Sequence, residues 1–170
     1  MRLLRVLQRI GVACDEYQHD ALHNITSKRI QCDEIWSFCY AKAKNVPEDK
    51  KDTFGYGDVW TYTAIDADSK LIITWHIGRR DAAEATVFMK DLASRLANRV
   101  QLTTDGHKMY LNAVEDAFGG DIDFGQLIKL YGNNPESEVR YSPAECTGIQ
   151  KHTIEGNPDE KHVSTSYVER

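Results

Sequence analysis

Residues 80–118 alternate helix, strand and helix, and this alternation limits the fold more than any other feature of the chain. In "RRDAAEATVFMKDLASRLANR", Ala85, Phe88, Met89, Leu92, Ala93 and Leu96 fall on one stripe, the period of an amphipathic helix. Asp81 and Glu84 suit the positive end of its first turn. "VQLTT" follows as a short strand, Asp105 closes it, and Gly106 permits a tight turn into the next element. "GHKMYLNAVEDAFGG" is a second helix with Tyr110, Ala113, Val114, Ala117 and Phe118 on one face, stopped by Gly119 and Gly120.

Strand-like runs lie on either side. "KRIQCDEIWSFCYA" is rich in Ile, Trp, Phe and Tyr. After a polar loop with Pro47, "VWTYTAID" and "LIITWHI" read as two strands joined by the tight turn "ADSK", with Asp66 as a turn residue. "FGQLIKLYG" is the last strand expected. Residues 132–163 hold Pro135, Pro143 and Pro158 and show no period, the mark of a long irregular loop. "STSYVER" looks like the beginning of a helix. Near the start, Leu3, Leu4, Leu7 and Ile10 predict a short helix over residues 3–12, ending near Gly11. The order β-β-β-α-β-α-β-loop-α predicts an α/β fold, a mixed five-stranded sheet with helices on both faces. Residues 1–27 form a short helical segment and linker before a single domain over 28–170.

The chain has 170 residues, enough to bury roughly 70% of its unfolded surface without disulfides. Its 41% hydrophobic and 28% charged residues are ordinary for a soluble protein. No apolar run is long enough for a membrane span, and the opening residues lack a signal-peptide cleavage site. Cys14, Cys32, Cys39 and Cys146 form no C-x-x-C pair, so they give no zinc spacing and read as reduced thiols of a cytoplasmic protein. The net charge of −5 argues against a strong basic footprint for nucleic acid.

Three acids stand out, each with a plain structural reading beside the functional one. Asp33 sits inside a strand expected to be central and buried on both faces, where an unpaired carboxylate is costly. Its neighbour Glu34 points the other way, and the plain reading is that one of the two lies at a sheet edge as a solvated acid. Asp105 is at the carboxyl end of a strand, where ligand sites of open α/β sheets collect, yet it equally suits a cap for the following helix. His107 reads as an exposed first-turn residue. If the strands of Asp33 and Asp105 are neighbours, both carboxylates can converge on one metal, and oxygen-only ligands favour Mg²⁺ or Mn²⁺. Glu169 fits a capping box, Ser166-x-x-Glu169, and on local sequence that structural role prevails. A helix beginning there would be very short, and persists only if Tyr167 and Val168 pack on the sheet.

The segments "CDEIWSF", "DVWTYTAIDADSKLIITWHIGRRDAAEATVFMKDLASRL", "VQLTTDGHKMYLNAVEDAFG", "DFGQLIKLYG" and "STSYVER" resemble, in order, the DDE transposases of bacterial insertion sequences, specifically the IS-one family. The resemblance covers about residues 28–170. It implies a ribonuclease-H-like fold and a catalytic, metal-binding triad of Asp33, Asp105 and Glu169 around a two-metal Mg²⁺ or Mn²⁺ site. It also implies DNA transposition: metal-dependent strand cleavage and strand transfer, with transposon ends and target DNA as partners and a homo-oligomer at full length. Members of that family usually carry an amino-terminal zinc-binding and helix-turn-helix region, and their last helix runs beyond the glutamate. Here only a short helix precedes the first strand and one residue follows Glu169, so the expectation is a catalytic-domain fragment whose own activity is in doubt. A stand-alone nuclease and a non-catalytic remnant or regulator are the alternatives.

Overall fold

The structure, a computed structural model, describes residues 2–53, 55–132 and 146–169. The described elements are α1 (Arg2–Ala21), β1 (Arg29–Cys39), β2 (Gly57–Asp66), β3 (Ile72–Gly78), α2 (Ala82–Arg95), β4 (Gln101–Asp105), α3 (Met109–Phe118), β5 (Asp123–Tyr131) and β6 (Cys146–Glu155), with short 3₁₀ turns between some of them. The strands make one mixed sheet in the order β3-β2-β1-β4-β5-β6. β1, β2 and β3 are an antiparallel meander; β4 lies parallel to β1, and β5 parallel to β4. This is the arrangement expected of a ribonuclease-H-like sheet, with one strand added at the β5 edge.

That sixth strand corrects the five-stranded expectation. β6 pairs antiparallel with β5 from Phe124 to Tyr131. It comes from the stretch that sequence pattern left irregular, and the reason is physical. Almost every residue of "CTGIQKHTIE" is exposed, so the strand has no buried face and leaves no period-two signal. Its backbone ladder holds it, with the Thr147 hydroxyl donating to the Leu130 carbonyl of β5 at 3.3 Å. Residues 133–145 of that stretch, with Pro135 and Pro143, lie outside the described residues.

Core packing follows the predicted stripes. α2 buries Ala85, Phe88, Met89 and Leu92, and α3 buries Met109, Tyr110, Ala113 and Val114. Asp81 caps α2 by accepting from the Glu84 amide at 3.0 Å. Both helices sit over the face that carries Cys32, Tyr62, Ala64 and Leu102. The Tyr62 ring lies 5.5 Å from that of Phe88, and its hydroxyl faces the Met109 sulfur. The opposite face is covered differently from the helix expected there. The carboxyl-terminal segment lies on it: Val163 packs over Gly125, and the Tyr167 amide donates to Gln31 Oε1 at 2.8 Å.

Two helix expectations change. α1 runs for 20 residues and passes straight through Gly11, whose cost within a helix is only about 1 kcal/mol relative to alanine. It is tied down at its far end, where Gln18 Nε2 donates to the Ile72 carbonyl at 3.0 Å and Arg95 reaches the Leu22 carbonyl. At the other terminus, Ser166–Glu169 is a single turn rather than a helix. The Thr165 carbonyl accepts from the amides of Val168 and Glu169, each at 3.2 Å. Of the two anchors this turn required, Val168 is buried and Tyr167 remains partly exposed. Among the described residues no helix is long and apolar enough to cross a membrane.

Candidate metal centre

The site forms where β4 ends and β1 continues. The parallel ladder pairs Gln31 with Thr103, and two residues further along each strand stand Asp33 and Asp105. β1 was expected to be central and buried on both faces. It is buried over Ile30–Cys32, half-buried at Asp33 and Glu34, and exposed from Ile35 onward, because its β4 neighbour stops at Asp105. Past that point no backbone separates the two faces of the sheet. Side chains from both faces can therefore meet in the gap.

Asp33, Glu34 and Asp105 do meet there. Each offers a carboxylate oxygen, and the three oxygens lie within 4.8 Å of one another. Asp33 Oδ1 accepts the Glu34 amide at 2.8 Å. Burial, and then the charges of Asp105, Glu34 and Glu169, push the Asp33 carboxyl up from its ordinary 3.8 to about 6, against the opposing pull of that amide. Asp105 fills both roles that its sequence position allowed. Its Oδ1 accepts the His107 amide at 3.0 Å, shaping the turn into α3, while Oδ2 faces Arg80 at 3.5 Å. His107 serves the same turn: its carbonyl accepts from Gln126 and its ring nitrogen lies 3.4 Å from the Met109 amide.

Gly106 makes this turn possible by close approach. A β-carbon there would lie 2.7 Å from Ile128 Cγ1, inside van der Waals contact. Only glycine lets the chain leave β4 so near β5, and so fixes where the Asp105 carboxylate points.

Glu34 and Arg80 are the members that sequence reasoning missed. Glu34 is not a solvated acid. Its side chain is fully buried, with Oε2 bound by Arg80 at 3.0 Å and the buried Tyr110 hydroxyl facing its carboxylate. Burial, and next the charge of Glu34, drive the Tyr110 hydroxyl pKa well above its ordinary value; the same two causes hold Tyr62 at about 12. Arg80 lies 4.6 Å from the Trp60 ring centroid and bridges Glu34 to Asp105. The adjacency of Asp33 and Glu34 was the available signal, but strict strand alternation argued against their meeting.

Glu169 comes close without joining. Its charge is one of those raising the Asp33 pKa, yet its carboxylate oxygens are taken by Lys129 and the Thr165 hydroxyl. The capping box is not formed, since Thr165 rather than Ser166 bonds this side chain. Of the expected triad, the fold brings Asp33 and Asp105 together and sets Glu169 beside them, paired to a lysine.

The donor set suits a hard divalent cation. All three clustered groups are carboxylates. The chain matches no family model and no curated protein.

Proposed function

We propose that this chain carries the catalytic domain of a DDE-type transposase, an enzyme that cleaves DNA strands and joins the freed 3′ end to target DNA, working in the cytoplasm. The observation that carries the reading is the convergence of Asp33, midway along β1, and Asp105, at the end of the adjacent β4, with a third carboxylate in reach. Asp33 and Asp105 would hold the metal ions in common, with Glu34 or Glu169 completing the set. When bound, a pair of Mg²⁺ or Mn²⁺ ions supplies an activated water and stabilises the leaving oxygen of a phosphodiester. The chain's own residues fix the geometry. The His107 amide and the Gly106 turn orient Asp105, the Glu34 amide orients Asp33, and the stacked Arg80 guanidinium keeps a positive charge at the rim, suited to a phosphate oxygen.

The test is metal titration by calorimetry together with manganese relaxation. Mn²⁺ should bind the chain, and Asp33→Asn and Asp105→Asn should each abolish the binding. Unchanged binding in both variants would remove the reading.

A second reading is a non-catalytic remnant or regulator of an intact transposase. The pairing of Glu169 with Lys129, and of Glu34 and Asp105 with Arg80, favours it, because internal cations already neutralise the acids. Cleavage of pre-formed transposon ends with Mn²⁺ separates the two, since only the first predicts nicked or joined products.

A further inference from the structure

β1 runs on past the strand that flanks it. From Ile35 to Cys39 it is exposed, and among the described residues its hydrogen-bonded neighbour there is β2 alone. Strand alternation puts Glu34, Trp36 and Phe38 on one face of this projecting end, and Trp60 of β2 stands directly opposite Trp36. Trp36 is 39% exposed and Phe38 47%, and Tyr40, just beyond, is exposed as well. Large aromatic rings held in the open beside a cluster of carboxylates mark a contact surface.

The cations of this region sit on those rings. Lys42 Nζ is 5.0 Å from the Trp36 centroid, Arg80 is 4.6 Å from that of Trp60, and Lys50 lies over both Tyr40 and Tyr56. The acids nearby are Glu48, paired with Lys51; Asp52, 4.0 Å from Arg79; Asp58, which accepts the Ala43 amide at 2.9 Å; and the exposed Asp49. Rings interleaved with cations suit a nucleic-acid strand, whose bases take the rings and whose phosphates take the cations. The flexible stems of Lys42 and Lys50 let each ammonium move from ring to phosphate. With a net charge of −5 the chain has no excess of cations overall, so stacking must supply much of the affinity.

The spacing selects an unpaired strand. The Trp36 and Phe38 centroids are 5.7 Å apart. Bases along one strand of a duplex step by about 3.4 Å and already cover one another. Rings set wider than that accept bases splayed from an open strand. The row also leads to the metal centre. Glu34 is two residues before Trp36 on the same face, and Arg80, stacked on Trp60, bonds Glu34 and reaches Asp105.

We propose that the projecting end of β1 and β2 is a stacking platform for an unpaired DNA strand, with bases on Trp36 and Phe38 and the phosphates drawn along Lys42 and Arg80 toward the acid cluster. DNA as the polymer rests on the transposase reading; its arriving unpaired rests on the platform alone.

Fluorescence anisotropy of the full chain in EDTA, with labelled oligo-dT and a hairpin duplex of equal length, tests it. The single strand should bind about tenfold tighter than the duplex. Trp36→Ala and Phe38→Ala should each weaken single-strand binding about tenfold and leave duplex binding unchanged. Lys42→Gln should lower the salt dependence by about one ion. The strand should quench tryptophan fluorescence, and the quench should shrink in Trp36→Phe, which keeps a ring and most of the affinity. Thermal melts check that each variant folds, as expected for exposed positions. No single-strand binding, or a duplex bound equally tightly, overturns the proposal. So does single-strand affinity that both alanine variants leave unchanged. Self-association abolished by Trp36→Ala, without strand binding, overturns it too and makes a second copy the occupant. Because the assay contains no metal, a failure of Mn²⁺ binding leaves its result standing, and the converse holds.

Discussion

Asp33 carries a cost that its position imposes. Its carboxyl is raised from 3.8 in an ordinary setting to about 6, chiefly by burial and then by neighbouring acids. Between those values the folded chain binds the proton more tightly than the unfolded chain does. Stability contributed by the protonated form is therefore full below about pH 4 and lost as pH rises through about 6. Asp33→Asn should stabilise the metal-free protein at pH 7 by on the order of 1–2 kcal/mol, after discounting for solvent screening, and the gain should vanish near pH 4. Denaturant melts of both proteins at the two pH values check this; an equal gain at both would point to a cause other than titration. Arg80 acts in the opposite sense. Arg80→Met leaves the buried Glu34 carboxylate without its cation and should cost about 3 kcal/mol. Added Mn²⁺ should recover part of that loss if the cluster takes a cation, as a thermal-shift series would show.

Among the elements, the carboxyl-terminal segment matters most for the site. It crosses the sheet at Gly125, where an added β-carbon would lie 3.0 Å from Val163 Cγ2. Gly125→Val should lift Val163 from the sheet and loosen the turn holding Glu169, with a stability loss of about 1–3 kcal/mol. Hydrogen exchange should report the change: the Val168 and Glu169 amides, bonded to the Thr165 carbonyl, should exchange faster, while the amides of β1 and β2 stay protected. If β1 and β2 lose protection equally, the segment is part of the global folding unit and not a separable cover. At the other side of the site, Gly106→Ala should displace the Asp105 turn and weaken Mn²⁺ binding without removing any ligand.

For the whole molecule, net charge sets the expected behaviour toward DNA. With a formal charge of −5, the chain should bind DNA weakly and without sequence preference, and its affinity should fall steeply as salt rises. Fluorescence anisotropy with transposon-end and scrambled duplexes measures this. Tight, end-specific binding at physiological salt would place a recognition element within these residues.

The sequence alone determined the order of β1 to β5 with α2 and α3, the buried stripe of α2, the Asp81 cap, and the stations of Asp33 inside β1 and Asp105 at the end of β4. These follow from local periodicity and turn chemistry, which short windows of residues carry in full. Tertiary structure decided the rest. β6 exists because β5 offers a free edge, which nothing in "CTGIQKHTIE" announces. Glu34 enters the cluster because β4 stops short of β1, a fact about a neighbouring strand's length. Arg80 and Lys129 neutralise acids distant in sequence, Glu34 and Glu169. Each of these outcomes depends on where another element begins or ends, and a residue's own neighbours in the chain hold no record of that.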